Sequence, residues 1–540
     1  MEREVSANLY YYYASGILIL VISTILAFRF ATQQKFILPK NILYTLLICS
    51  GYMFLVQLFK FNSLHFYTDF AHWGQVIHSI ANTGKPHTIA HELHRPGTLN
   101  YFSMHFTPLV YLIALFYKII PYPETIIFLN NIFMISSIIP LYKLANKLID
   151  NKKLSLFICV LLLWYPSFQY IVTYEFEMLR FSIPIIFWML YFLESKNLLL
   201  YYVFVLLAIL VREEVGLTIA VFSLYLFFFQ KNRKVALTTF VLGLSGSMII
   251  LQVIMPSLNS SINTENIAMT KIYPAFGETN GEIIKNIIFN PVFTLSVIFQ
   301  KIKIANVVMM FIPLLFIPLL SLPSLIGSFA QFGILLLTNS ITNISYMLYY
   351  VSPTIPFIFY AFIKSWPKVI KILESFCNNK YDKFQLNNAL MISILVGLLS
   401  SNVFFGSSPL SLQFWFKDIR PAPFNTQNHH YSTYIINDHH LLIDDFIDII
   451  PEASIVAASQ HLQPHLIKKK GTIFLNEHSE NPEYLANYVF FDKTNNKIGL
   501  NSPAFITESH WGIFEKEKKH WELIKTQDGL FLYKRKLLID

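Results

Sequence analysis

Apolar residues along this 540-residue chain come in long, nearly uncharged blocks separated by short polar or basic stretches. Blocks of roughly 18 or more apolar residues read as membrane-spanning helices, because a helix satisfies its own backbone in hydrocarbon. The pattern predicts spans near residues 14–30, 41–60, 124–142, 154–171, 181–193, 198–211, 215–230, 235–254, 304–320, 323–339, 350–364 and 387–405. A further apolar stretch, 105–120, reads as a juxtamembrane or re-entrant helix rather than a crossing, and loop charge decides this. With that helix not crossing, the alternate loops 29–40, 143–153, 194–197, 231–234 and 364–383 carry 16 Lys and Arg against 4 Asp and Glu. Positively charged loops stay in the cytoplasm, so both termini and residues 61–123 are expected outside. The N-terminus lacks a basic leader region and a clear cleavage site, and reads as a retained first span.

After residue 405 the period changes. Short β-like runs at 454–459, 472–476 and 488–492 alternate with turns, and Asp528-Gly529 is a hairpin signal between two further runs. The expected fold is therefore mainly α, a polytopic helical bundle over residues 1–405 with about 12 spans, followed by a small external α/β domain over residues 406–540.

Composition supports this division. Hydrophobic residues make up 54% and charged residues 14% of the chain, against about 25% charged in soluble proteins, which argues against a cytosolic enzyme. The net charge of +9 belongs wholly to the bundle: residues 1–405 hold 27 basic and 16 acidic residues, residues 406–540 hold 14 and 16. A surplus confined to membrane loops sets orientation and gives no reason to invoke nucleic acid. Three cysteines cannot build a disulfide framework or a thiolate zinc site, and no P-loop, dinucleotide or zincin motif occurs. The expected location is the plasma (inner) membrane.

Candidate chemistry gathers in the external segments. The first loop holds His65, His72, His78, His87, His91, His94 and His105 with Asp69, Glu92 and Arg95, and no further histidine occurs before His429. Asp69 and His72, or His91 and His94, share a helix face at a spacing of three. A divalent ion (Mg or Mn) at Asp69 and His72 is one reading; solvated histidines on an interfacial helix are the other. Asp69 suits a general base, although an Asp at a helix start is more often a cap. Glu175, Glu177 and Arg180 stand at a second external turn. Arg212, Glu213 and Glu214 interrupt an apolar run, where ionisable groups usually line a polar cavity, unless a short hairpin simply carries them to water. Arg212 suits a phosphate, since its planar fork donates two parallel hydrogen bonds. The segment around Tyr273 to Glu278 reads equally as a turn packed on the membrane surface or a substrate contact. Tyr346, Tyr349 and Tyr350 stack on a sugar or anchor an interface. His429-His430 and His439-His440 show no partner at a convincing spacing.

The order of motifs is distinctive: YTDFAHWGQ (67–75), MHFTPLVYLIALFY (104–117), LWYPSFQYIVTYEFEMLRFSIP (163–184), LLAILVREEVGL (206–217), then DIIPEASIVAASQHLQPHL (448–466), ANYVFFD (486–492) and DGLFLYKR (528–535). Together these resemble the multi-pass membrane family called domain of unknown function 2079, placed with the GT-C membrane glycosyltransferases. The resemblance implies a GT-C bundle that takes a sugar from a polyprenyl-phosphate carrier on the external face and transfers it with inversion. Asp69 then stands where such enzymes carry the base or acceptor contact, with His72 and Gln75 on the same segment as substrate contacts. His105 matches a His-Phe-Ser-Pro element, with Thr107 in place of Ser. Arg212, Glu213 and Gly216 match a Lys-Glu-Asp-x-Gly element, with Glu214 in place of Asp. Three departures stand out. Glu175-Phe176-Glu177 replaces Asp-Phe-His, Tyr349 replaces a His before Tyr350, and Gly74 replaces a second Asp.

The expected function is transfer of a sugar from a polyprenyl-phosphate donor to an envelope glycan, lipid or protein acceptor. Asp69 is the catalytic residue, and His72, Gln75, His105, Glu175, Glu177, Arg180, Arg212, Glu213 and Tyr350 bind substrate. The rival readings are a transporter or flippase of a lipid-linked substrate and a non-catalytic scaffold or sensor. A transporter predicts ionisable groups deep in several spans and inverted repeats; here the charges gather at one face.

Overall fold

The computed structural model describes residues 42–89, 100–258, 272–340, 343–417, 419, 429–474, 486–494 and 518–536. The expected span at 14–30, and Glu92, Arg95, His91 and His94, lie outside them. The helices are α1 (Ile42–Asn62), α2 (Thr68–Thr83), α3 (Val110–Ile119), α4 (Pro123–Ile135), α5 (Ile138–Ile149), α6 (Lys152–Trp164), α7 (Pro166–Thr173), α8 (Ser182–Glu194), α9 (Leu198–Ile209), α10 (Val215–Phe228), α11 (Arg233–Ile249), α12 (Asn280–Phe289), α13 (Pro291–Ile298), α14 (Lys301–Phe311), α15 (Ile326–Leu337), α16 (Ile355–Phe376), α17 (Lys383–Phe405) and α18 (Asp438–Ile447). Five strands follow: β1 (Ile455–Ala458), β2 (Gly471–Phe474), β3 (Tyr488–Asp492), β4 (Trp521–Gln527) and β5 (Leu530–Arg535).

Among the described residues four stretches are long and apolar enough to cross a membrane unbroken: Pro123–Ile149, Arg233–Ser257, Ile317–Leu337 and Lys383–Phe405. Two further pairs qualify only as bent units. The expected span 154–171 is divided into α6 and α7 by a 55° bend, because Pro166 supplies no N–H and Tyr165 is extended. Helices α12 and α13 meet at 94° inside a segment read from sequence as a loop. Helix α3 has 10 residues, about 15 Å, and is too short to cross, as its juxtamembrane reading requires. Helices α9 and α10 have 12 and 14 residues, short of the roughly 20 that a perpendicular crossing needs. Their connecting tip stops among protein side chains: Arg212 and Glu213 are buried. A hairpin whose charges simply reach water is thereby excluded.

Glycine sets the closest helix approach. A Cβ placed on Gly216 would lie 2.7 Å from the Gly243 carbonyl oxygen, and one on Gly243 would lie 2.6 Å from that of Gly216. Helices α10 and α11 therefore touch backbone to backbone, the way small residues let membrane helices pack. Ser247 Oγ on α11 donates to the Glu213 carbonyl at 2.6 Å, which fixes the charged tip on this hairpin.

The strands form one sheet of order β2-β1-β3-β5-β4. β1 pairs parallel with β2 and β3, while β5 pairs antiparallel with β3 and β4. Asp528 and Gly529 both take positive φ, 45° and 79°, at the β4–β5 turn, as the Asp-Gly signal predicts. Alternation along β1 and β3 feeds two cores. Val456, Ala458, Tyr488 and Phe490 pack under α18 with Leu64 of the α1–α2 loop; Ile455, Ala457, Val489 and Phe491 pack with Ile89. Residues of the first loop thus complete both faces of the sheet.

Substituting Gly243 by Leu should destabilise the protein by about 1–3 kcal/mol or more, the range for overpacking, seen as a lower unfolding temperature in detergent. Gly51→Ala, where an added Cβ meets nothing within 4 Å, should leave that temperature unchanged or higher.

Candidate functional site

Helix α2 begins without a local side-chain cap. Asp69 lies in its first turn, yet its carboxylate does not cap; the helix N-terminus is capped instead from a distant segment. Glu175 Oε2 accepts the Phe70 backbone N–H at 3.0 Å, so an acidic side chain supplies the acceptor at the helix start. Two residues on, Glu177 Oε2 accepts the Trp73 indole N–H at 2.5 Å, and its Oε1 accepts Arg212 Nη1 at 3.0 Å. The Glu175-Phe176-Glu177 turn is therefore the clamp that orients α2. A His at position 177 would offer no carboxylate fork for these two donors.

The turn itself is braced from behind. Arg180 Nη1 donates to Asn130 Oδ1 at 3.2 Å and to the carbonyls of Tyr174 and Glu175 at 3.4 and 3.2 Å. Gln57 Nε2 donates to the Tyr174 carbonyl at 2.8 Å, and Lys60 Nζ to that of Thr173 at 3.3 Å. Arg180 is fully buried and faces the Tyr174 ring at 5.8 Å, while its Nε and Nη2 have no hydrogen-bond partner among the described residues.

Arg212 sits among three carboxylates. Besides Glu177, its Nε lies 3.7 Å from Glu213 and 3.3 Å from Glu214. His105 joins the tip to the first loop: Nδ1 meets Glu213 Oε1 at 2.9 Å and Nε2 meets Arg212 Nη2 at 3.2 Å. Glu213 Oε2 also accepts the Phe106 N–H at 3.2 Å. Above the guanidinium lies the Tyr350 ring, at 5.9 Å. Tyr350 stacks on Tyr349 with centroids 4.3 Å apart, and Tyr349 packs on Tyr174 at 5.3 Å.

Asp69 closes this chain of contacts. Its Oδ2 accepts the Tyr174 hydroxyl at 2.6 Å. Asp69, Tyr174, His105, Glu214 and Tyr350 are partly accessible, whereas Glu175, Glu177, Arg180, Arg212 and Glu213 are buried. The result is an open row of polar groups backed by a wall of paired charges. Burial, and then the neighbouring Glu177 charge, push the Asp69 carboxyl up to about 6, against the Tyr174 hydrogen bond, which favours the carboxylate. Burial and Asp69 push Glu175 up to about 8. Burial alone would raise Glu213, but His105 and Arg212 outweigh it and hold that carboxyl below its ordinary value.

The remaining sequence candidates lie elsewhere on α2. His72 is buried on that helix, while Asp69 accepts the Tyr174 hydroxyl. Gln75 faces the sheet: Nε2 donates to Thr472 Oγ1 at 2.5 Å and Oε1 accepts Thr88 Oγ1 at 3.0 Å. Gly74, where a second Asp was expected, packs on Ile467; a Cβ there would lie 2.6 Å from that side chain, so no Asp fits. Tyr346 is buried, donating to the Phe405 carbonyl, and Phe276 is buried with Ile283 and Val297, a packed turn. Among the described residues no three His, Cys, Asp or Glu side chains come together to hold a metal ion. Asp69 and His72 alone do not make a cage for Mg or Mn.

Tyr174, the partner of Asp69, was not singled out from sequence, although it adjoins Glu175 in the same motif. A second cluster was missed outright. Asp492 Oδ2 meets His439 Nε2 at 3.2 Å and His461 Nε2 at 3.1 Å, and His439 Nδ1 meets Asp528 Oδ2 at 2.9 Å. His439 thus has partners after all, brought from β3 and the β4–β5 turn by the sheet; they hold it above the ordinary histidine value against burial.

The fold aligns with ArnT from Cupriavidus metallidurans bound to undecaprenyl phosphate, with TM-score 0.50 and 11% identity over 91% of this chain and 98% of that one. The apo state of the same protein aligns with TM-score 0.46 and 10% identity, over 88% and 95%. An oligosaccharyltransferase from Archaeoglobus fulgidus, tethered with an acceptor peptide containing the NVT sequon, aligns with TM-score 0.40 and 13% identity over 84% and 69%. The alignment with bound ArnT shows a fold of the GT-C type. No curated protein matches the chain by sequence. Residues 66–532 match the family described as predicted membrane protein, DUF2079; this match takes in most of the chain, which therefore belongs to that family.

Proposed function

We propose that the protein is an inverting membrane glycosyltransferase that moves a sugar from a polyprenyl-phosphate carrier to an envelope glycan, lipid or protein hydroxyl. The observation that carries this reading is Asp69: a partly open carboxylate, raised to about 6, beside a row of aromatic and cationic groups. A base poised near the working pH combines the right protonation state with useful driving force. Asp69 takes the proton of the acceptor hydroxyl as its oxygen attacks the anomeric carbon; the bond from that carbon to the phosphate oxygen breaks, and the lipid phosphate leaves with the electron pair.

The leaving phosphate needs positive charge. Arg212 is the nearest guanidinium to the open row, with its charge shared among Glu177, Glu213 and Glu214. Glu214 is the one of these three that remains partly accessible, and it is the carboxylate a phosphate would displace. Arg180 adds a buried charge behind Tyr174. Tyr350 offers a ring face for the sugar, and His105 and Glu213 position Arg212. Under this reading the accessible row faces outward from the plasma membrane, and residues 406–540 form the external domain.

Membranes carrying the wild type should transfer radiolabelled sugar from extracted polyprenyl-phosphate donors, and Asp69→Asn should lose about 10²–10⁴-fold, the usual share of a general base. Equal transfer by both would remove Asp69 from the mechanism. With Asp69 the working base, the rate should fall with one-proton dependence as pH drops below about 6, because the base form exists above its pKa. Tyr174→Phe removes a hydrogen bond to the carboxylate, so the acid limb should move to higher pH; a limb that moves down or stays would assign it to another group. EDTA should leave the rate unchanged, and a loss restored by Mg or Mn would place an ion in the step instead.

A further inference from the structure

The segment from Asn286 to Gln300 contains 15 residues and no charge, yet it folds as an elbow rather than a span. Helix α12 has 10 residues and α13 has 8, about 15 and 12 Å long, each less than half to about half of a hydrocarbon core of roughly 30 Å. Their 94° bend keeps them from adding up to a crossing. Only Phe276, Ile283 and Val297 form its buried centre, with Leu337 of α15 and two others packed around it. Ile284, Ile288, Phe289, Val292, Phe293 and Leu295 point outward, Val292 with 82% of its surface exposed.

The polar groups of the elbow say what surrounds it. Asn286 Nδ2 donates to the Phe276 carbonyl at 2.6 Å, Asn290 Nδ2 to Asn286 Oδ1 at 3.0 Å, Thr294 Oγ1 to the Ile287 carbonyl at 2.9 Å and Ser296 Oγ to that of Phe293 at 2.7 Å. Pro291, at the bend, has no N–H to satisfy. Lys303, just beyond, turns its ammonium inward onto the carbonyls of Val297, Leu336 and Thr338 at 3.1, 2.6 and 2.8 Å. Each polar side chain between Asn286 and Ser296 thus donates a hydrogen bond inside the elbow, which suits a setting in hydrocarbon. Glu278 precedes α12, Glu282 lies in its first turn and Lys285 near its middle, one turn before Phe289. The elbow packs on α15 through Leu337, and that helix also exposes an apolar side chain, Phe329.

We propose that α12 and α13 form a re-entrant elbow whose bend, Phe289 to Val292, is buried in the acyl chains of one leaflet, with Glu282 and Lys285 at the headgroups. The occupant of the exposed face is lipid. Tyr273, which leads into the elbow, donates its hydroxyl to the Ile334 carbonyl of α15 at 3.3 Å and ties the elbow to that helix.

The test uses the full chain in phosphatidylcholine vesicles on a Cys377→Ser background, the two other cysteines being buried. Phe289→Cys and Val292→Cys, each labelled with an environment-sensitive fluorophore, should emit at blue-shifted wavelength and lose roughly half or more of their signal to lipids with spin labels in the acyl chain. Lys285→Cys should instead respond to aqueous iodide. Quenching of both bend positions by iodide and not by spin-labelled acyl chains would overturn the proposal. Shielding from both quenchers would overturn it as well, since a protein partner or second copy would then cover the face.

Discussion

The structure depends on one constraint: a carboxylate or guanidinium taken out of water must find partners in place of the hydration it loses. Breaking a buried ion pair costs about 3–5 kcal/mol, so Glu177, Glu213 and Arg212 cannot be placed one at a time. Glu177 uses both oxygens, one on Trp73 and one on Arg212. Arg212 in turn draws in Glu213 and His105. This network joins three segments remote in the chain, α2, the turn after α7 and the α9–α10 tip. Its geometry is over-determined, which is what a site needs if an open group such as Asp69 is to be held in one place.

The same helix is fixed from its far side. α2 lies between the bundle and the sheet, with Trp73 toward the charged wall and Gly74 and Gln75 toward Ile467 and Thr472. The absence of a side chain at Gly74 brings the sheet-bearing region close, and the buried Gln75 then needs the polar partner it finds in Thr472. His465 adds a stack on Phe61 at 4.2 Å and a contact with the Phe61 carbonyl at 3.2 Å. The C-terminal region thereby acts as a second brace for the helix that carries Asp69.

Local physics made much of this legible from sequence. Apolar blocks, the Asp-Gly turn and the alternating strands depend on near neighbours, and they emerged at nearly the expected positions. The charged tip at Arg212-Glu213-Glu214 was legible because ionisable groups in an apolar run require a polar setting. What stayed hidden depends on partners more than 30 residues away. Nothing near Glu175 says that it caps a helix 105 residues earlier. Asp69 shows the reverse case: its position in a first turn reads as a cap, and only the distant Glu175 and Tyr174 reveal a cap supplied from elsewhere and a carboxylate left for other work. His439 looked solitary because Asp492 and Asp528 reach it only through strand pairing.

The departures from the family pattern follow from packing as much as from chemistry. Gly74 admits Ile467, and Glu177 supplies two acceptors to two donors that a single ring nitrogen could not both satisfy. Tyr349 extends a stack from Tyr174 to Tyr350 where a histidine would bring a second titrating group next to Asp69. Gly74 faces Ile467 on the sheet side of α2, while Glu177 is tied into the wall behind Asp69. The effect is to leave Asp69 as the carboxylate that is both open and hydrogen-bonded to a neutral partner. Burial and the neighbouring Glu177 charge raise its affinity for a proton, while the Tyr174 hydroxyl, by stabilising the carboxylate, draws that affinity back down. Under the proposed function, these positions would leave proton transfer to Asp69 alone.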